Sequence, residues 1–247
     1  MFFKSCGIKK LYGLRLFGNS NSDAIGKHEV ERLMDILRLE NFRVPARPSL
    51  NLPVLEEVKT NIDKMWKSLG LDHKTVVAVG SGSKMPVKRW DLDNYKVVGM
   101  NLIKRYGVQL IVLGGQEDAE SADVLCKAWS PQGINLAGKT SYAESAEILR
   151  RCRLYVGNDS GAMHLAAAVG TPCVAIFSAR DEVGAWYPYG NQHIVLRKEV
   201  ECQGCMLTEC VEHNMKCIKS ISFDEVFAAC EKNLISMGIH KRLNALA

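Results

Sequence analysis

The residues best suited to chemistry sit in four polar turns, each following an apolar run: Gly80-Ser81-Gly82-Ser83, Gly114-Gly115-Gln116-Glu117-Asp118, Gly138-Lys139-Thr140-Ser141 and Asn158-Asp159-Ser160-Gly161. Lys84 and Lys88 follow the first turn and His164 the last. These types suit a phosphorylated, hydroxyl-rich ligand. Ser83, Lys84 and Lys88 offer hydroxyl and ammonium groups to a pyrophosphate. Glu117 or Asp118 can accept from ribose hydroxyls, and Thr140 can line a base pocket. Ser160 and Gly161 open a helix whose free N–H groups favour phosphate. Asp159 can accept from a sugar hydroxyl, and either it or Ser160 can cap that helix. Gly161 lets a ligand approach the backbone.

Each residue also has a plainer reading. Lys88 can be a solvated surface lysine. Glu117 and Asp118 can be first-turn charges that complement a helix dipole. His164 can be a buried histidine satisfied by backbone, and glycine and serine in loops are usually turn chemistry. None of the turns has the GxGxxG of a dinucleotide fold, and Gly138-Lys139-Thr140 lacks the earlier glycine of a P-loop.

The elements that must position these turns follow from apolar spacing. Strands are expected at 76–79, 108–113, 135–136, 154–156, 173–177 and 193–196, with helices at 27–39, 55–69, up to 106 from Asp91 or Asp93, 119–129, 142–152, 161–169 and from Ser222. Glu225, three residues after Ser222, completes a capping box. The 161–169 segment is apolar all round and should be buried. Pro45, Pro48 and Pro53 mark an extended linker. Alternating strands and helices predict an α/β fold, a Rossmann-like parallel sheet with helices on both faces. In such sheets ligands bind at the carboxyl ends of the strands, where these turns fall.

Composition narrows the classes. The 247 residues are 47% hydrophobic, which suits an ordinary globular core. The net charge of +5 favours anions, but basic and acidic residues alternate along the chain, so no nucleic-acid partner is expected. No apolar run reaches the roughly 18 residues of a membrane span, and Met1-Phe2-Phe3-Lys4 lacks the order of a signal peptide. The expected location is cytoplasmic, with peripheral attachment at the inner face of the membrane as the alternative.

Of nine cysteines, Cys126, Cys152, Cys173 and Cys230 fall in expected helices or strands and read as core residues, and Cys6 sits alone. Cys202-x2-Cys205-x4-Cys210-x6-Cys217, with His213 between, supplies enough soft ligands for a structural zinc. Iron–sulfur ligation fits no standard spacing. Reduced thiols retained for packing are the plainer alternative.

Several of these motifs, in order, resemble those of the family-nine glycosyltransferases, which include the lipopolysaccharide heptosyltransferases. Asp159-Ser160-Gly161-Ala162-Met163-His164, then Leu-Ala-Ala-Ala-Val-Gly-Thr-Pro and Val-Ala-Ile-Phe, is similar to the family's donor-site signature. Lys88-Arg89-Trp90, Gly114-Gly115-Gln116-Glu117 and Gly138-Lys139-Thr140-Ser141 resemble its other loops, and Trp186-Tyr187-Pro188-Tyr189-Gly190 and the cysteine series occur in members. The likeness covers residues 27–235.

The resemblance implies the C-terminal half of a two-domain GT-B fold. Ser83, Lys84 and Lys88 would contact the diphosphate of a nucleotide-diphosphate sugar, ADP-heptose or similar. Glu117 or Asp118 would hold the ribose, and Asp159, Ser160 and Gly161 the sugar and phosphates; Thr140 and His164 complete the expected donor site. The reaction implied is inverting transfer to a glycan or lipid-linked acceptor. No cofactor is required, and Lys88 acts as an electrostatic stabiliser of the leaving diphosphate.

Two departures matter. Ala162 stands where many members have proline. The family's opening strand and Asp-Arg-x-Gly-Asp-like loop have no counterpart here, so residues 1–54 read as the end of an N-terminal domain plus linker, and 55–247 as the nucleotide-sugar-binding domain with a C-terminal helix. The catalytic base is then expected outside this chain, in a missing N-terminal domain that a separate chain would carry. The rivals are a non-catalytic sugar-nucleotide-binding module, either remnant or half of a split enzyme, a GT-B-like sugar-nucleotide epimerase, and a metal-centred interaction protein.

Overall fold

Every residue of Val76–Gly80 and of Cys173–Phe177 is buried in the computed structural model, which describes residues 26–46, 48–50 and 52–242. The basic, turn-rich start of the chain, with Cys6, lies outside these residues. The chain divides into two units.

The described part of the first unit is 26–46 and 48–49 with Glu182–Trp186. Its helix α1, Glu29–Leu39, is capped by His28, whose Nδ1 accepts from the Val30 N–H at 3.1 Å. Asp35 pairs with Lys27 at 3.1 Å and Arg38 at 2.6 Å. The Glu29 N–H donates to the Ala185 carbonyl at 2.9 Å.

The second unit runs from Leu50 to Asp181 and resumes at Tyr187. In order it contains α2 (Glu56–Ser68), β1 (Val76–Gly80), a 3-10 turn (Pro86–Lys88), α3 (Leu92–Tyr106), β2 (Gln109–Val112) and a second 3-10 turn (Gln116–Asp118). Then come α4 (Ala119–Ala128), β3 (Gly133–Asn135), α5 (Tyr142–Arg151), β4 (Leu154–Asn158) and α6 (Gly161–Ala168). It ends with β5 (Cys173–Phe177), β6 (Ile194–Arg197), α7 (Lys216–Lys219) and α8 (Phe223–Ser236). The strands pair in parallel in the order β3-β2-β1-β4-β5-β6.

Uniformly apolar strands need cover on both faces. On one face Val77, Val79, Leu110, Leu154 and Ile176 pack with Tyr95 and Leu102 of α3, Leu125 of α4 and Leu234 of α8. On the other, Val76, Ile111, Tyr155 and Phe177 pack with Ile62 and Trp66 of α2, Leu149 of α5 and Met163 of α6. Each fully buried leucine contributes about 1.5–3 kcal/mol. Cys152, Cys173 and Cys230 belong to these cores, and burial pushes the Cys152 thiol up to about 12. Cys126 is only half-buried, its thiol raised by burial to about 11.

The local signals explain the helix ends. The Asp91 carboxylate accepts from the Asp93 N–H at 2.8 Å to start α3, and Gly107, at φ +65°, ends it in the left-handed conformation only glycine adopts freely. Ser141 with Glu144, and Ser222 with Glu225, form reciprocal capping boxes. Two expectations shift. β3 lies at Gly133–Asn135 rather than 135–136, because the Asn135 side chain starts a turn by accepting from the Ala137 N–H at 2.9 Å. In α6 only Met163, Ala166 and Ala167 are buried, and Gly161 is exposed.

Strand order reverses between β1 and β4. The connections from these two strands leave in opposite directions, which opens a crevice at their carboxyl ends.

Candidate functional site

Asn158, the last residue of β4, holds this crevice together. It is fully buried. Its Oδ1 accepts from the Trp90 N–H at 3.1 Å and from the Tyr95 hydroxyl at 2.8 Å, and its Nδ2 donates to the Ser81 carbonyl at 2.6 Å. One amide thereby ties the loop after β1, the lysine loop and α3 to the end of β4. The Ser83 hydroxyl donates to the Asp159 carbonyl at 3.3 Å, a second tie between the same loops.

These ties bring Lys88 onto Asp159, across 71 positions of sequence. The ammonium lies 2.5 Å from Asp159 Oδ2 and 3.0 Å from Asp181 Oδ2. Asp181 follows β5, and its other oxygen lies 2.5 Å from Arg180 Nη1. All four side chains are largely buried, at 6–12% exposure. Burial pushes the Asp159 carboxyl above its usual range, and the Lys88 ammonium opposes that shift. A buried charge persists only when paired and hydrogen-bonded, and here two cations meet two carboxylates.

The expected cap on α6 is not made. Ser160 occupies the N-cap position, but no side-chain oxygen caps the helix, because Asp159 is turned to Lys88. The Ser160 hydroxyl instead lies 3.5 Å from the Tyr155 hydroxyl. At Gly161 an added Cβ would meet nothing within 4 Å, so this helix end faces open space. His164 is not the buried histidine of the plainer reading. Its side chain is 40% exposed, with Nε2 at 3.9 Å from Asp159 Oδ1.

The remaining expected residues separate by exposure. Lys84 and Glu117 are exposed. Asp118 accepts from the Gly115 N–H at 3.0 Å and closes its own turn, with burial raising its carboxyl. Its carboxylate also fills the space over Gly82 and Gly114, where an added Cβ would meet it at 2.1 and 2.5 Å. The Thr140 hydroxyl lies 2.7 Å from that of Ser145 at the start of α5. Ser81, beside Asn158, carries a buried hydroxyl without a hydrogen-bond partner, the one such side-chain atom found among the described residues.

With this geometry in view, the comparisons decide the family. The model of glycosyltransferase family 9 (heptosyltransferase) matches residues 10–216. The chain belongs to glycosyltransferase family 9. It is similar to lipopolysaccharide heptosyltransferase 3 of Escherichia coli K12, 27% identical over 92% of this chain and 67% of that one. It is similar to lipooligosaccharide heptosyltransferase 2 of Campylobacter jejuni, 28% identical over 66% of this chain and 51% of that one. Among solved structures, a family 9 glycosyl transferase from Veillonella parvula superposes with a TM-score of 0.73 at 26% identity, over 85% of this chain and 61% of that one. E. coli ADP-heptose lipopolysaccharide heptosyltransferase II superposes with a TM-score of 0.64 at 22% identity, over 81% of this chain and 57% of that one, a likeness of fold. The chain therefore spans between half and two thirds of the length of these relatives. Its Rossmann-like sheet is that of the family's GT-B members.

The cysteine segment adjoins the site. The Met206 N–H donates to the Arg180 carbonyl at 3.0 Å, and the Val87 N–H donates to the Thr208 carbonyl at 3.2 Å. Cys202, Cys205, Cys210 and Cys217 are free thiols, and among the described residues no three His, Cys, Asp or Glu stand together as a metal site. The Cys202 thiol is raised by burial and by the neighbouring thiols of Cys205, Cys217 and Cys210. No helix among the described residues is long and apolar enough to cross a membrane.

Arg180, Asp181 and Asn158 are the site residues that motif reading missed. The signal for the first two was available: a polar turn after β5 must lie on the same sheet edge as the turns after β1 and β4.

Proposed function

We propose that this chain is the donor-binding half of an inverting, heptosyltransferase-like glycosyltransferase of lipopolysaccharide or polysaccharide synthesis. The observation that carries this reading is the meeting of Lys88 with Asp159 beside the open N-terminal end of α6, at the point where strand order reverses. The ligand class is a nucleotide-diphosphate sugar. An E. coli heptosyltransferase, WaaC, has been solved with ADP, which favours ADP-heptose or a similar donor.

In this reading the donor diphosphate lies against Lys88, Ser83, Lys84 and the backbone N–H groups of Ser160 and Gly161. Glu117, the exposed acid of its turn, accepts from the ribose, while Asp118 is spent on closing the turn. Thr140 lines the base, and Asp159 with His164 faces the sugar. As the acceptor hydroxyl attacks, charge grows on the leaving diphosphate. Lys88 and the helix end stabilise that charge in a poorly hydrated site, where such contacts are strongest. The base that deprotonates the acceptor, a glycan or lipid-linked glycan, lies in an N-terminal domain of which residues 1–54 carry the end and the link.

The test is a titration of the chain with a panel of nucleotide-sugars, repeated with Lys88→Ala and Asp159→Ala. Loss of a charge-assisted bond should weaken the preferred donor by about tenfold or more. Equal affinity in both variants would contradict the assignment.

A structural zinc at Cys202, Cys205, Cys210 and Cys217 is a separate proposal. It rests on the Cys202-x2-Cys205-x4-Cys210-x6-Cys217 spacing and on the influence of the other three thiols on that of Cys202. The thiols must close further to share one ion. Elemental analysis after chelator-free purification tests it: one zinc per chain supports it, and none retires it.

A further inference from the structure

Arg180 uses its side chain inward. Nε donates to the Leu207 carbonyl at 2.7 Å, Nη2 donates to the Met206 carbonyl at 2.7 Å, and Nη1 faces Asp181 Oδ1 at 2.5 Å. It is buried, so it is not a group that reaches out to a ligand. Asp181 is shared, with one oxygen on Arg180 and the other on Lys88. Lys88 in turn is shared between Asp181 and Asp159. The cluster Lys88, Arg180, Asp159 and Asp181 sums to zero charge.

That balance sets how available Lys88 is to an anion. Without Arg180, one ammonium would face two carboxylates in a buried cluster with a net negative charge. An arriving phosphate would meet repulsion and would compete with both carboxylates for Lys88. We propose that Arg180 is a positioning residue of the donor site, which neutralises Asp181 and so leaves Lys88 free to engage a diphosphate. Arg180 acts through Asp181, and its bonds to the 206 and 207 carbonyls aim it. The inference rests on the donor-site reading and deepens it: the ligand class is a nucleoside diphosphate, and the residue that tunes its affinity never touches it.

The roles of charge and scaffold separate by rescue. The full chain is titrated with ADP, UDP and GDP, and the tightest is carried through Arg180→Met, Asp181→Asn, the double variant and Arg180→Lys, with thermal denaturation of each. Arg180→Met should weaken binding about tenfold or more, because it leaves an uncompensated charge in a poorly screened site. The double variant should recover to within about threefold of wild type. Its melting temperature should stay low, because the 206 and 207 carbonyls still lack their donors. Arg180→Lys keeps the charge and should bind near wild type even where Arg180→Met is too unstable to assay.

A double variant as weak as Arg180→Met would overturn the proposal and leave Arg180 as a tie for the cysteine segment. Wild-type-like binding by Arg180→Met would also overturn it, as would an Arg180→Lys as weak as Arg180→Met. Failure of the wild-type chain to bind any of the three nucleotides would sink the donor-site reading itself, and this inference with it.

Discussion

The Lys88 ammonium sits 2.5 Å from Asp159 Oδ2, and it is the principal group opposing the rise that burial imposes on that carboxyl. Lys88→Met removes the opposition and strands the buried Asp159 carboxylate, leaving Asp181 to Arg180 alone, a change that typically costs about 3–5 kcal/mol. The sign of its pH dependence follows. The folded Asp159 carboxyl titrates above its unfolded value of 3.8, so its contribution is full below that value and is lost as pH rises through the folded one. Without Lys88 the folded value climbs further. Urea unfolding of Lys88→Met should therefore show stability falling, as pH rises above about 4, more steeply than in wild type. Parallel curves would show that Lys88 does not control Asp159.

Asn158→Ala tests the other junction. It strands the Ser81 carbonyl, the Trp90 N–H and the Tyr95 hydroxyl, all three at buried residues. Each unsatisfied group costs about 1–3 kcal/mol, reduced where water enters the space. The expected loss is at least about 2 kcal/mol in urea unfolding, with donor affinity falling as the lysine loop loosens. A loss below about 0.5 kcal/mol would mean that the loops are held by something else.

Much of this was legible in the sequence. Strands 76–80 and 173–177 announce themselves because both faces are covered and neither tolerates a charged residue. Asp91 and Ser222 cap helices by chemistry confined to a few positions, so local spacing suffices. The site was legible where it coincides with the turns after β1 and β4. Arg180 and Asp181 carried only the weaker signal of a polar turn after β5, because their importance lies in the cluster: Asp181 meets Lys88 across 93 positions, and Arg180 acts through Asp181. Asn158 was passed over for a different reason: a buried asparagine with three bonds and a solvated turn asparagine have the same letter. Asp118 and Glu117 were indistinguishable until exposure separated them.

The capping box of α8 gives an acid-range prediction. Glu225 Oε2 accepts from the Ser222 N–H at 2.9 Å, and Oε1 pairs with Lys198. The Lys198 bond, then the Ser222 N–H, hold the carboxyl below its usual value of 4.5. Its stabilisation is therefore full above about pH 4.5 and is lost as pH falls through the folded value. The side chain is 41% exposed, so solvent screening keeps the effect small. Glu225→Gln should cost less than about 1 kcal/mol at pH 7. The gap from wild type should close as urea unfolding is repeated from pH 6 down to pH 3, and a gap that widened would reverse the assigned sign.

A close approach of two strands underlies the site. Gly80 and Gly157 are partners across β1 and β4, and a Cβ on Gly157 would lie 2.5 Å from the Gly80 carbonyl oxygen and 2.5 Å from the Tyr155 hydroxyl. The hydroxyl can be removed without touching the backbone, by Tyr155→Phe, but the carbonyl cannot move unless the strands separate. Gly157→Ala should therefore destabilise by about 1–3 kcal/mol, and Tyr155→Phe in the same chain should recover only part of that loss. Because Asp159 lies two residues beyond Gly157, separation at this point also draws it from Lys88, so donor affinity should fall with stability. If Tyr155→Phe restored Gly157→Ala completely, the obstacle would be the hydroxyl alone, and the strands at the site would not need glycine to meet.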